Sequence, residues 1–294
     1  MNDGSSGCVG SSDLSASVSV PVIDLGLLPS SKDEQGKLKL ALCSGGCFQA
    51  IGHGISNSFL NKVRGVAEQF FQLLQEEKQK YSRAGYDLVV SEKQVLDWNT
   101  RLFLRVFPEH QRKLNLWPEN PDKIREVLHE YSIKLKQLVD LLFKAMAKSL
   151  ALEENSFSDQ FGDNPVMHVR FNFYPPFLLQ DEQVEGLQFV KDEKWITVPV
   201  IPRVLVVNLG DQMQIMSNGI FKSPVHRVVT NTDKLRISVA MFNEVEPEKE
   251  IGPVEGLIDE NRPRLYSNVK IYASFNYECF QKGKVPLEEV KFHA

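Results

Sequence analysis

Hydrophobic residues recur at helical spacing in the first half of the chain and at strand spacing in the second half. In the first half, apolar positions three and four residues apart predict helices over residues 33–43 and 59–80. Ser56 is a good N-cap for the second of these helices. A longer apolar stripe follows Asn120-Pro121 and ends near residue 152, which predicts the longest helix of the chain.

Short apolar or alternating runs predict strands around these helices. Three fall in the first half of the chain, at residues 21–25, 47–51 and 102–107. Three more come after residue 152, at residues 167–174, 186–190 and 195–198. The polar connection 191–194 suits a hairpin between the last two.

The stretch from residue 204 to residue 241 organises the second half. Residues 204–208 are almost all apolar, as in a buried strand, and residues 212–216 alternate as a half-buried strand would. Asn218-Gly219 is typical of a tight hairpin.

Two further strands are predicted at residues 225–229 and 236–242, and we expect them to be neighbours. The first contains His226 and the second begins with Arg236. Neighbouring strands would bring an imidazole that can bind metal and an always-charged guanidinium to the mouth of one sheet.

This order of elements predicts an α+β fold in which a jelly roll or barrel follows a helix-rich N-terminal region. The longest helix would cover the outer face of one sheet. The predicted divisions are a disordered leader (1–20), an N-terminal α/β region (21–118), the long helix (119–152), the jelly-roll core (153–245) and a C-terminal wrapping tail (246–294).

Composition narrows the class of protein. The net charge is −4 and no Lys- or Arg-rich run is present, so we do not expect a nucleic-acid partner. No apolar run approaches the roughly 18 residues that a membrane span needs. Four scattered cysteines suit a reducing compartment, and the leader has neither a basic start nor an apolar core. We therefore expect a cytoplasmic protein. We also expect a monomer that acts on a small-molecule substrate.

Two pairs of polar side chains could carry chemistry. Alternation places Arg236 and Ser238 on one face of their strand, and a guanidinium fork beside a hydroxyl is suited to a small carboxylate. Asn172 and Tyr174 share a face in the same way. A buried strand that ends in a hydrogen-bonded tyrosine explains the second pair equally well. Taken alone, His226 fits a core or rim histidine better than a ligand.

Several motifs together carry a family resemblance. They are Cys47 through Gly54, Leu96-Asp97-Trp98, Arg170 through Pro176, Asn208-Leu209-Gly210-Asp211-Gln212, Ser217-Asn218-Gly219, His226-Arg227-Val228 and Arg236-Ile237-Ser238. The chain resembles the plant 2-oxoglutarate- and Fe(II)-dependent dioxygenases, which have an isopenicillin-N-synthase-like fold. Among them it is most similar to the senescence-related and codeine O-demethylase-like members.

This resemblance implies a double-stranded β-helix in which two histidines and one carboxylate hold Fe(II). It implies that 2-oxoglutarate chelates the iron and that Arg236 and Ser238 hold its far carboxylate, with help from Tyr174. Asn172 would lie near the chelating end, and His226 matches the distal histidine ligand. The reaction would hydroxylate, demethylate or desaturate a small organic molecule.

The chain departs from the family at the iron site. The family's other two ligands form a His-x-Asp motif, whereas none of the six histidines here has Asp or Glu two positions later. The motif spacing predicts a deletion near residue 177 of about two strands with their turns, which would leave unpaired strand edges. Asp181 or Glu182 could offer one oxygen. His168 precedes the Asn-x-Tyr strand, so we do not expect it to be a ligand.

Three functions stay open at this point. The first is an Fe(II)/2-oxoglutarate oxidoreductase of a small specialised metabolite, aromatic or alkaloid-like, that is impaired by the loss of two iron ligands unless an unrecognised site replaces them. The second is a non-catalytic relative, or a truncated variant, that at most binds a small dicarboxylate. The third is a protein that acts only by interaction, through its helical front.

Overall fold

The computed structural model describes residues 19–82, 100–174, 185–229 and 235–292, which form an α+β fold as expected. The helices in chain order are α1 (Lys32–Ser44), α2 (Asn57–Gln72), α3 (Gln75–Ser82), α4 (Ile124–Ser149), α5 (Ser158–Phe161), α6 (Asp211–Met216), α7 (Tyr272–Gln281) and α8 (Pro286–Glu289). Short 3-10 helices lie at Glu109–Gln111, Leu114–Leu116 and Glu255–Leu257.

The strands confirm nearly all of the predicted ones. They are β1 (Val22–Asp24), β2 (Cys47–Ile51), β3 (Thr100–Phe107), β4 (Val166–Tyr174), β5 (Leu187–Lys191), β6 (Lys194–Thr197), β7 (Leu205–Asn208), β8 (His226–Val228), β9 (Arg236–Glu244), β10 (Glu250–Ile251) and β11 (Val269–Lys270). Residues 1–18 of the predicted leader lie outside the described residues. The predicted deletion near residue 177 lies outside them as well.

The strands form three three-stranded sheets and one two-stranded sheet. Their orders are β1-β2-β7, β3-β4-β9, β6-β5-β8 and β10-β11. The longest pairing joins β4 to β9 in nine antiparallel pairs, from Val166 opposite Glu244 to Tyr174 opposite Arg236. Within the described part of the chain, β7, β8 and β9 are therefore edge strands.

One face of the β3-β4-β9 sheet packs against helices α2 and α4. Every second residue of β4 between Met167 and Phe173 is apolar and belongs to this core, and Phe171 is fully buried. Burying one such side chain stabilises the fold by about 1.5–3 kcal/mol. The helices cover this apolar face, so the alternate residues of the same strands are left on the other face.

The predicted hairpin between β5 and β6 is confirmed. Asp192 and Glu193 connect the two strands with φ of 48° and 61°, as a two-residue turn of this kind requires. Within the described ranges, no helix is both long and apolar enough to cross a bilayer.

The prediction of a strand at residues 212–216 is wrong, because this segment is helix α6. Six residues are too few for period 2 to be separated from period 3.6. Asn218-Gly219 does have positive φ at both residues, as predicted. It follows a helix, however, so it is not the turn of a hairpin.

Two predicted helices differ in their ends. The helix predicted over residues 59–80 is divided at Leu73, whose extended ψ of 155° separates α2 from α3. Ser56 caps α2 as expected, because its side chain accepts a hydrogen bond from the Phe59 N–H. The longest helix begins at Ile124, three residues beyond Pro121.

The turn between α1 and β2 depends on a glycine, which gives a test of the packing. Gly46 has a φ of 65°, and a methyl group there would collide with the Lys222 carbonyl oxygen. We expect Gly46→Ala to lower the free energy of unfolding by roughly 2 kcal/mol or more. The matched variant Gly36→Ala lies inside α1 with open space around it, and we expect it to stabilise by about 0.5–1 kcal/mol. Urea denaturation of both variants measures the difference, and equal stabilities would contradict the packing.

Candidate functional site

The structure brings four of the predicted site residues together as two cross-strand pairs. Asn172 lies opposite Ser238, and Tyr174 lies opposite Arg236, in the register of β4 with β9. Directly opposite residues of an antiparallel pair lie on the same face of the sheet. This is the face that helices α2 and α4 leave uncovered.

Side-chain contacts hold these pairs in place. The Asn172 Nδ2 donates to the Ser238 Oγ at 3.1 Å, and Asn172 is buried. The Arg236 guanidinium carbon lies 5.0 Å from the centre of the Tyr174 ring. Burial lowers the pKa of Arg236, and the nearby Tyr174 opposes that shift. Arginine keeps its proton in proteins, so the side chain stays charged.

The Arg236 guanidinium could bind an anion through one of its buried nitrogens. Its Nη1 is buried and has no hydrogen-bond partner in the described part of the chain. Leaving a buried donor of a charged group unsatisfied costs about 1–3 kcal/mol or more. A carboxylate oxygen beside Ser238 and Tyr174 would satisfy it, so these residues fit the distal end of 2-oxoglutarate.

His226 is exposed on β8, opposite Phe189 of β5. Its Nδ1 lies 3.1 Å from the Pro224 carbonyl oxygen. If Nδ1 carries the proton, it donates to that carbonyl, and the lone pair of Nε2 is then available to a metal ion. The exposed position fits a rim histidine with one hydrogen bond, and it also fits a ligand that points into an open site.

The expectation that His226 and Arg236 lie on neighbouring strands is wrong. The strand β8 pairs with β5, whereas β9 pairs with β4 in another sheet. The two sheets nevertheless meet at Gly186, because a methyl group there would lie 2.7 Å from the Val229 carbonyl oxygen and 3.1 Å from the Arg236 Cδ. Val229 is three residues beyond His226, so about 10 Å of extended chain separates the histidine from this contact.

Sequence reasoning missed most of the residues that share the face of the Arg236 pair. Their register on β3, β4 and β9 puts these side chains on it: Arg101, Phe103, Arg105, His168, Arg170, Ala240, Phe242 and Glu244. The alternation that selected Asn172 would also have selected Arg170 and His168. His168 lies 3.3 Å from Glu244 Oε1 and stacks on Phe103.

The donor set does not fit a three-ligand Fe(II) site among the described residues. No group of three or more His, Cys, Asp or Glu side chains that could hold a metal ion occurs there. Asp181 and Glu182 lie outside the described ranges. In this part of the chain, His226 is the ligand that the family motifs identify.

The chain matches two family models and is similar in sequence to plant oxygenases. The model of the 2OG-Fe(II) oxygenase superfamily matches residues 166–245, and that of the N-terminal region of non-haem dioxygenases in morphine synthesis matches residues 20–120. Codeine O-demethylase from Papaver somniferum is 36% identical over 88% of this chain and 83% of its own length. Protein SRG1 from Arabidopsis thaliana is 35% identical over 95% of this chain and 87% of its own length.

The chain belongs to the 2OG-Fe(II) oxygenase superfamily. The fold agrees, since a crystal structure of JOX2 in complex with 2OG, Fe, and JA superposes with a TM-score of 0.82 at 31% identity. That superposition covers 94% of this chain and 90% of JOX2. The family fold is the jelly roll, and the family uses Fe(II) and 2-oxoglutarate.

The alignment with the SRG1 oxygenase also bears on length. It runs over 313 positions, which exceeds the 294 residues of this chain. Some aligned positions of that relative therefore have no counterpart here.

The hydrogen bond between Asn172 and Ser238 can be tested by stability. Ser238→Ala removes the acceptor of a buried amide, so we expect the free energy of unfolding to fall by about 1 kcal/mol. The matched variant Ser30→Ala removes an exposed hydroxyl and should change it by less than about 0.5 kcal/mol. Thermal and urea unfolding measure both, and equal effects would show that the Asn172 contact adds nothing.

Proposed function

We propose that this oxygenase binds 2-oxoglutarate through Arg236, Ser238 and Tyr174, with Asn172 near the chelating end of the diacid. The reaction class is hydroxylation, demethylation or desaturation of a small specialised metabolite, with turnover that is low or absent in this chain. The supporting observation is the buried Nη1 of Arg236, which has no hydrogen-bond partner among the described residues and lies on the sheet face that Ser238 and Tyr174 share. The family's use of the same co-substrate agrees with it.

The geometry supports a diacid bound between the two sheets. Arg236 would hold one carboxylate at the place where β9 approaches the start of β5. His226 begins β8, and about 10 Å of extended chain separates it from Val229, which lies at this contact. This separation suits a small dicarboxylate with a metal ion beyond its other end.

We expect this chain to have a low affinity for Fe(II). Fe(II) bound by 2-oxoglutarate and three protein ligands supplies the oxygen-activating chemistry in the family. Here His226 would be one ligand, and no His-x-Asp or His-x-Glu motif occurs in the sequence. Loss of an outer-shell partner alone typically costs 10–100-fold in metal affinity or activity, so loss of two direct ligands should cost more.

Two observations support a deletion that affects the iron site. Strands β7, β8 and β9 are edge strands within the described residues, and the alignment with SRG1 contains positions that have no counterpart in this chain. A deletion near residue 177 would remove strands that pair with such edges. We further propose that residues 153–245 form the catalytic unit, that residues 119–152 support it from outside, and that the protein is a cytoplasmic monomer.

Binding of 2-oxoglutarate tests the first part of the proposal. We expect calorimetry to show 2-oxoglutarate binding that Arg236→Gln weakens by at least about tenfold, because a charged hydrogen-bonding partner is lost. Arg227→Gln is the matched control, since Arg227 has the same charge but stacks on Trp195 at 3.9 Å. Equal weakening by both variants would reject Arg236 as the carboxylate site.

Anaerobic titration with Fe(II) tests the second part. With 2-oxoglutarate present, we expect no metal-to-ligand absorption band at protein-stoichiometric Fe(II) and little succinate after oxygen is admitted. Inserting a segment with the family's His-x-Asp motif after residue 176 should produce the band. Robust succinate release by the unaltered chain would overturn the proposal of impaired turnover.

A further inference from the structure

Gly186 lies where the two sheets of the candidate site meet. It immediately precedes β5, and its carbonyl oxygen accepts a hydrogen bond from the Val229 N–H at 2.8 Å, which extends the pairing of β5 with β8 by one residue. Arg236, which begins β9 in the other sheet, lies beside the same glycine. Gly186 is therefore next to both the carboxylate-binding candidate and the end of the strand that carries His226.

The space around Gly186 leaves no room for a side chain. A Cβ atom there would lie 2.7 Å from the Val229 carbonyl oxygen, 3.1 Å from the Arg236 Cδ and 3.2 Å from the Arg236 Nε. Non-bonded carbon atoms prefer separations of about 3.5–4.0 Å, so all three contacts would be too close. A side chain at residue 186 would require the two sheets to separate or the arginine to move.

Backbone conformation does not account for this glycine. Its φ lies outside the left-handed region, so an alanine would meet no strain of that kind. What requires glycine is the close approach of Val229 on one side and of the Arg236 side chain on the other. The stem of the arginine occupies space that a Cβ atom would otherwise restrict.

Two neighbours orient the Arg236 side chain at different points along its length. Gly186 lies beside the stem, at Cδ and Nε, whereas the centre of the Tyr174 ring lies 5.0 Å from the guanidinium carbon. A long side chain that is restricted at two points has fewer rotamers open to it. The buried Nη1 is thereby held in a defined position, and binding sites need their groups placed to within about 0.5 Å.

We propose that Gly186 is a positioning residue for 2-oxoglutarate, because the space that it leaves lets the Arg236 side chain lie against the start of β5. This role rests on the proposed function, in which Arg236 holds the distal carboxylate. The same glycine also joins Arg236 to the strand of His226, since Val229 follows that strand and bonds to Gly186. Gly186 thus fixes the position of the carboxylate site relative to the sheet that carries His226.

The test compares two acids that have the same carbon chain. 2-Oxovalerate lacks the second carboxylate of 2-oxoglutarate, so the ratio of the two affinities measures the contact with Arg236. Calorimetry with the unaltered full chain should show 2-oxoglutarate binding at least about tenfold more tightly. Gly186→Ala should weaken 2-oxoglutarate by at least about fivefold and leave 2-oxovalerate unchanged, because the guanidinium is displaced.

Controls separate positioning from a purely structural effect. Gly256→Ala is the matched variant, since a Cβ atom there would lie 3.1 Å from the Leu152 Cδ2, and we expect it to leave the ratio of affinities unchanged. Thermal unfolding shows whether each variant is folded. A preference for 2-oxoglutarate that Gly186→Ala retains in full, or equal weakening of both acids, would overturn the inference and leave the proposed function standing. No preference in the unaltered chain would overturn both.

Hydrogen exchange of the unaltered chain provides a second test, which holds even where Gly186→Ala does not fold. Saturating 2-oxoglutarate should slow exchange of the Val229 N–H by at least about threefold, because a ligand on Arg236 stabilises the contact at Gly186. The Val198 N–H, which bonds to the Leu187 carbonyl oxygen at 2.9 Å on the other side of β5, should change less. Equal changes at the two amides would contradict the proposed role of Gly186.

Discussion

The nine-residue antiparallel pairing of β4 with β9 is the constraint on which the site depends. It runs from Val166 opposite Glu244 to Tyr174 opposite Arg236 without a shift in register. A slip of either strand by one residue would move each of its side chains to the opposite face of the sheet. The core under helices α2 and α4 prevents such a slip, because Phe171 and its apolar partners would lose their burial. Packing on one face therefore fixes the chemistry on the other.

This dependence explains which parts of the site could be predicted from the sequence. Alternation within one strand is a local property, so Arg236 with Ser238 and Asn172 with Tyr174 could each be placed on a common face. The pairing between the two strands is non-local, and so is the position of β3. Arg101 is one residue before the strand predicted at residues 102–107. Its position on the face that helices α2 and α4 leave uncovered therefore does not follow from the local pattern.

Helix α6 shows where local patterns stop being informative. Its sequence alternates as a strand would, yet residues on both phases of that alternation are buried, among them Gln212, Met213 and Met216. Residues distant in the sequence stabilise the helical form. Gln214 donates to the Tyr266 hydroxyl and accepts from the Ser223 N–H. These bonds join the helix to the C-terminal tail and to the segment that leads to His226. Neither partner is visible in a six-residue window.

Acid binding and iron binding draw on different parts of this scaffold. The carboxylate site needs guanidinium groups and hydroxyls, and these lie on β4 and β9, whose pairing is complete. The iron site needs three donors, of which His226 on β8 is the one the motifs identify. The deletion proposed near residue 177 would thus affect the proposed metal site and spare the pairing that holds Arg236. Under the proposed function, Arg236 would keep its place without an efficient metal centre and would still bind the carboxylate of 2-oxoglutarate, because charge complementarity does not require the oxygen chemistry.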